Sequence, residues 1–377
     1  MIYFDSASTS FYKPNVVTQA VTSAMSSFGN AGRGGNPASI TAARAIYSAR
    51  CSLAPFFGVQ PSQIAFTHNA TTALNMAIFG LLSANDHAIT TVLEHNSVLR
   101  PLYHLQERGL KLDFVGLTPD GDLDYESFGK LLCKETRCVI VTHCSNVTGL
   151  VVDLGRIAQF CKQHGLILIV DAAQSAGLLP IDIQSLGRAA VCFTGHKGLL
   201  GPQGTGGLVI NDIEISPMMV GGSGFDSFST LHPNAFPESL EAGTLNAHGI
   251  AGLGAGAEYI KEKGMDAIRE EGLAHAKAFE EGVREIPNIK IYGNSALQRA
   301  PIVSINIGDL DSAEVETLLA VREICVRGGF HCAPLAHKAL GTDGQGAVRF
   351  SFSSFNTEQQ VEIAIQAVEE IAKEYGA

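Results

Sequence analysis

What the chain lacks narrows its possibilities first. Charged residues supply only 17% of 377 positions, and their net charge is −11. That balance repels nucleic acid and anionic membrane and favours solubility. No uninterrupted apolar run reaches membrane-spanning length; LILIV (166–170) is far too short. The opening residues, MIYFDSASTS, show no basic segment followed by an apolar one, so the expected location is cytoplasmic. The cysteines, at 51, 133, 138, 144, 161, 192, 325 and 332, include no Cys-x-x-Cys pair. Reduced thiols, most of them small buried hydrophobes, are expected rather than a disulfide framework. His143–Cys144 and His331–Cys332 are adjacent pairs without a second, correctly spaced pair, so no metal is expected. GPQGTGG (201–207) lacks the Gly-Lys-Ser/Thr ending of a P-loop. GLGAGAEY (252–259) is no dinucleotide fingerprint, because its third glycine comes one residue early and no strand precedes it. Close helix packing is the better reading of those glycines. There is no internal repeat and no low-complexity tract.

What remains is a glycine-rich, 46% hydrophobic chain, long enough for one large domain and a smaller one. Its middle alternates short apolar runs with amphipathic stretches. IAFTH (64–68), HAITTVLEH (87–95), KLDFVGL (111–117), CVIVTHC (138–144), LILIVDA (166–172), AVCFTG (190–195) and GGLVIN (206–211) read as strands. Strands apolar on both faces, separated by helices, predict an α/β domain with a mostly parallel, doubly covered sheet. After about residue 250 a long, increasingly charged helical stretch begins, followed by PIVSINIG, EICVRGGF and AVRFSFS as strands and a last helix. The expected division is a large domain over 15–250 and a small α+β domain from 1–14 plus 251–377.

Ligands of such sheets bind beyond the carboxyl ends of the strands. Asp171 follows LILIV, Lys197 follows CFTGH, His95 follows ITTVLE, and Asn146 follows VIVTHCS. Thr71 and Thr72 open the helix after IAFTH. Each alone reads as a cap, a turn residue or a solvated side chain. Together they suit pyridoxal phosphate, which needs a lysine for its aldehyde and a carboxylate for its ring nitrogen. It also needs a helix N-terminus with hydroxyls for its phosphate.

VDAAQSAG (170–177) and FTGHKGLLGPQGTG (193–206) resemble the class V, fold-type-I pyridoxal phosphate enzymes, and within them the cysteine desulfurase and selenocysteine lyase family. The resemblance extends through YFDSAST, NATTALNMA, LEHNSVLRP, THCSNVTG, SLEAGTLN (239–246), VRGGFHCAPL (326–335) and VRFSFSSFN (348–356). It implies that Lys197 holds the cofactor covalently, Asp171 keeps the ring nitrogen protonated, His95 stacks on the ring, and Gln174 bonds the phenolic oxygen. It implies a phosphate cradle of Thr71, Thr72, Thr194 and His196, with Thr244 reaching in from the second subunit of a homodimer. Asn146 and Arg349 would hold the substrate carboxylate, with Arg327 nearby; a structural ion pair is the plainer reading of Arg349.

Cys332 decides the activity that the resemblance implies. A desulfurase needs a thiolate that takes the sulfur of L-cysteine, or the selenium of L-selenocysteine, and leaves L-alanine. His331 or Arg327 would lower its thiol pKa. A short cysteine loop resembles the members that pass sulfur to an accessory acceptor protein. Two alternatives stay open. One is a class V aminotransferase, kynureninase-like hydrolase or epimerase with no use for Cys332. The other is a binding or regulatory protein on the same scaffold. The GNAGRGGNP loop (29–37), whose one charge is Arg33, is expected near the site entrance, with a substrate or dimer role.

Overall fold

The computed structural model describes residues 1–32, 34–224 and 228–375, so Arg33 lies outside the described residues. The chain opens with β1 (Ile2–Tyr3), α1 (Asn15–Ser27) and α2 (Pro37–Phe57). Then come β2 (Ile64–Thr67), α3 (Ala70–Leu81), β3 (His87–Thr91), α4 (Asn96–Gln106) and β4 (Lys111–Val115). The alternation continues through α5 (Ser127–Leu131), β5 (Thr136–Thr142), α6 (Leu154–His164) and β6 (Ile167–Asp171). It closes with α7 (Ile183–Leu186), β7 (Ala189–Thr194) and β8 (Gly206–Asn211). Two helices follow, α8 (Ala247–Lys263) and α9 (Met265–Arg284), then β9 (Ile289–Tyr292) and β10 (Ile302–Ile307). The chain ends with α10 (Ser312–Val321), β11 (Ile324–Cys325), α11 (Pro334–Leu340), β12 (Val348–Ser351) and α12 (Glu358–Tyr375).

The central sheet has the order β2-β8-β7-β6-β5-β3-β4. β7, β6, β5, β3 and β4 pair in parallel, as the helix-separated apolar runs predict. β8 is antiparallel to both of its neighbours, because the loop from β7 carries no helix to return the chain to the sheet's starting edge. Successive residues serve opposite faces. Leu168, Val170, Val191 and Phe193 enter one core, while Ile167, Ile169, Ala190 and Cys192 enter the other.

The helical stretch after residue 247 is two helices, broken at Gly264, whose φ of 91° suits glycine. α8 packs against α1 and α2, with Leu253, Ala257 and Ile260 in the core beneath the large sheet. A Cβ on Gly256 would stand 2.5 Å from Leu199 O, so backbone contact accounts for GLGAGAEY. A second, antiparallel sheet, β12-β10-β9, forms the other layer with α9, α10 and α12. β1 pairs with β11, and Phe4 enters this core, which brings the N-terminal residues to the small sheet. EICVRGGF, expected as a strand, keeps strand structure at Ile324–Cys325 and a single antiparallel bridge from Arg327 to Arg349. Beyond it, Gly328 N–H donates to Glu316 Oε2 (3.1 Å) and Gly329 N–H to Ser312 Oγ (3.0 Å), so side chains take the bonds a ladder would need. Among the described residues no helix is long and apolar enough to cross a membrane.

Candidate active site

The parallel strands deliver their last residues to one cleft. Thr71, His95, Asn146, Asp171, Gln174, Thr194, His196 and Lys197 all line it. Asp171 ends β6 and is buried, taking one hydrogen bond from Ala173 N–H to Oδ1 (2.9 Å). Burial raises its pKa, against the pull of the Ala173 N–H and the Lys197 charge. Lys197 stands three residues beyond β7, and its side-chain amine makes no hydrogen bond to the described residues. Burial pulls its amine down to about 8, and the Arg349 guanidinium adds to that effect.

The far wall is the start of two helices. Asn69 caps α3 by accepting from Thr72 N–H (2.9 Å), and the first turn of α3 lines the cleft. Thr71 Oγ1 lies 2.8 Å from Ser97 Oγ. His95 caps α4, its Nδ1 accepting from Ser97 N–H (3.0 Å), so Nε2 carries the ring proton. Burial, and then the Lys197 charge, hold His95 neutral with a pKa of about 4. His196 is likewise neutral, drawn to about 4 by burial and the Lys197 charge, with Nδ1 3.0 Å from Thr9 Oγ1. Gln174 Nε2 donates to Ala7 O (3.0 Å) and has a second N–H to spare.

Two residues expected at the phosphate are not in the lining of this cleft, and Thr244 was expected there only from a second subunit. Thr72 does not line the cleft; its hydroxyl bonds Asn69 Oδ1 (3.2 Å) within the cap. Thr244 is exposed and does not line the cleft of its own chain.

Arg349, on β12, is 2% exposed beside the cleft. It donates from Nη1 to Asn146 O (3.0 Å) and from Nη2 to Asp5 Oδ1 (2.9 Å) and Ser8 Oγ (2.7 Å). Its Nε is buried without a partner. Arg327 is exposed, and its Nη1 donates to the same Ser8 Oγ (3.2 Å).

Cys332 is exposed at the rim, while Cys138, Cys144, Cys161 and Cys192 are buried. Cys144 touches the cleft, but burial pushes its thiol up to about 12. The Cys332 loop is tied to the cleft by Asn96 N–H donating to Cys332 O (2.7 Å) and Asn146 Nδ2 donating to His331 O (2.7 Å). His331 and Cys332 hold φ of 49° and 55°, a region that costs a non-glycine residue roughly 1–3 kcal/mol. The expectation that a His331 cation lowers the thiol pKa is corrected here. Burial and the Arg349 charge hold His331 neutral, with a pKa of about 3.

Three members of this neighbourhood escaped the sequence reading. Ser97 and Asn69 look like ordinary cap residues. Glu94 reads as a surface acid, yet it is fully buried, accepting at Oε1 from Thr91 Oγ1 (2.6 Å) and Thr142 N–H (2.9 Å). The signal for all three was their place within two residues of Thr71 or His95, which were already singled out.

The buried carboxylate with one chain donor, the amine without a chain partner and the open first turn of α3 match the needs of pyridoxal phosphate. A doubly covered α/β sheet with that set at its strand ends defines a fold-type-I pyridoxal phosphate enzyme. The aminotransferase class-V family model matches residues 2–363, and the chain belongs to that family, which depends on pyridoxal phosphate. A probable cysteine desulfurase of Methanothermobacter thermautotrophicus is 34% identical over 98% of this chain and 94% of its own. The apo structure of a cysteine desulfurase from Thermococcus onnurineus superposes with a TM-score of 0.93 at 34% identity, covering 99% of this chain and 94% of that one. The Escherichia coli cysteine desulfurase CsdA, in its S-sulfonic acid form, gives 0.88 at 28% identity, covering 100% and 95%.

Proposed function

We propose that this chain is a cysteine desulfurase that moves the sulfur of L-cysteine onto Cys332 and releases L-alanine. The observation that carries the reading is the tie between the Cys332 loop and the lysine–aspartate cleft, through Asn96 and Asn146.

Lys197 and Asp171 would hold pyridoxal phosphate at its aldehyde and ring nitrogen, His95 would face the ring, and Gln174 the phenolic oxygen. Thr71, Thr194, His196 and the first N–H groups of α3 would hold the phosphate. When bound, the cofactor supplies an electron sink for charge developing on the substrate's carbons. Lys197, with its lowered pKa, is suited to take the Cα proton and to return one. Arg349 Nε, the buried donor without a partner, and Asn146 would orient the substrate carboxylate. The Cys332 thiolate attacks the substrate sulfur. A sulfur–sulfur bond forms, the Cβ–S bond breaks, and its electron pair stays with the carbon fragment, which takes up a proton to become alanine. L-cysteine and one thiol thus give L-alanine and one persulfide.

The same geometry would accept L-selenocysteine. A homodimer is supported by Thr244, which stands outside its own cleft, and by the exposed Val220, Phe228 and Leu231 nearby in the chain. An exposed Cys332 suits hand-over to an acceptor protein. Product analysis tests the activity. L-cysteine alone should yield alanine, with no keto-acid acceptor; turnover that requires such an acceptor would favour an aminotransferase.

A further inference from the structure

Behind Cys332 runs a string of buried polar groups that the reaction above does not use. His331 Nε2 lies 3.1 Å from Arg327 O, and His331 Nδ1 lies 3.3 Å from His337 Nε2. His337 Nδ1 in turn lies 2.7 Å from Thr342 Oγ1. His331, His337 and Thr342 are all buried. The Arg327 carbonyl can only accept, so the proton of neutral His331 sits on Nε2 and its Nδ1 offers a lone pair. Only a donor can meet that lone pair, so His337 carries its proton on Nε2. Its Nδ1 then accepts from the Thr342 hydroxyl. One carbonyl fixes the direction of the whole chain of bonds.

The chain of bonds ends where the backbone is least ordinary. His331 and Cys332 both hold left-handed φ, and L residues leave that region unless something retains them. Their carbonyls are gripped from the cleft side by Asn146 Nδ2 and Asn96 N–H. The imidazole of His331 is gripped from behind. The rear grip belongs to the same short segment, since His337 sits on α11 and Thr342 N–H donates to His337 O (2.9 Å). HCAPLAHKALGT (331–342) is therefore a module that locks its own first turn.

We propose that His337 and Thr342 are positioning residues for sulfur transfer: through His331 they retain the left-handed turn from which the Cys332 thiol projects. This rests on the reading of Cys332 as the sulfur acceptor. His337 and Thr342 touch neither substrate nor cofactor in this account. They act on the step that needs the thiol and leave the Lys197 proton transfer alone.

The test uses holoenzyme carrying His337→Leu, His337→Gln, Thr342→Val or Cys332→Ser. Glutamine restores an N–H near the place of Nε2; leucine does not. The readouts are kcat and KM for alanine formation from L-cysteine, the cofactor absorbance, and exchange of the Cα proton of L-alanine with solvent deuterium. That exchange needs Lys197 but no thiol. His337→Leu should lower kcat about tenfold or more, with KM, absorbance and exchange within about twofold of the parent. Thr342→Val should show the same split to a smaller degree, and His337→Gln should recover most of the loss. If His337→Leu does not fold, the Thr342→Val split decides. The proposal is overturned by parent-like kcat in both, by loss of exchange in step with desulfuration, or by glutamine doing no better than leucine. Cys332→Ser separates the two levels. If it desulfurates like the parent, the reading of Cys332 fails and takes this proposal with it. If it is inactive while His337→Leu and Thr342→Val match the parent, only this proposal fails.

Discussion

Arg349 Nη2 lies 2.9 Å from Asp5 Oδ1, joining the last strand of the small sheet to the first residues of the chain. The guanidinium side chain is 3% exposed and the carboxylate side chain 18%. Removing the carboxylate leaves a buried cation without its counter-charge. Asp5→Asn should therefore lower unfolding stability by about 3 kcal/mol, as one-sided loss of a buried pair does. Urea unfolding checks it; a change below about 0.5 kcal/mol would mean that Ser8 and the Asn146 carbonyl suffice to hold Arg349.

The partnerless Arg349 Nε supports a second expectation. Arg349→Lys keeps the charge but loses the planar fork. KM for L-cysteine should rise about tenfold or more, with a smaller change in kcat. Steady-state kinetics across substrate concentration measure it, and an unchanged KM would assign Arg349 to the Asp5 pair alone.

Glu94 gives a pH dependence with a definite sign. Burial raises its carboxyl from an ordinary 4.5 to about 8, and Oε2 has no partner. The folded chain therefore holds a proton that the unfolded chain releases. Its contribution is fully present below about 4.5, and is lost as pH rises through about 8. Glu94→Gln keeps an acceptor for Thr91 and Thr142 and removes the titration. Its stability relative to the parent should rise steadily between about pH 5 and about pH 8 in urea unfolding. A constant difference between the two proteins would show that Glu94 is ionised in the fold throughout that range.

The gathering of Asp171, Lys197, His95 and Asn146 was legible because each follows an apolar run, and parallel strands end on one side. What escaped depends on packing between distant segments. Glu94 is held neutral by burial, with Thr142 at the end of β5 donating to it, which no local pattern records. His331 looked like a cation beside a thiol, and burial against Arg349 makes it neutral. Thr72 reads as a phosphate ligand from its place at the start of α3, and only the structure shows that its hydroxyl donates to the Asn69 cap. EICVRGGF has strand-forming residues, yet Glu316 and Ser312 side chains take the backbone bonds of its glycines. His337 was within sight in the sequence, six residues after His331, but only α11 turns that spacing into contact.

The central claim is that sulfur passes to Cys332, and the most direct measurement is the mass of the peptide carrying that residue. Holoenzyme would be given one equivalent of L-cysteine, quenched, digested under conditions that preserve persulfides, and its alanine counted. The account predicts one sulfur atom added to the Cys332 peptide for each alanine formed, and none in Cys332→Ser. Alanine released in full while the Cys332 peptide keeps its original mass would contradict it.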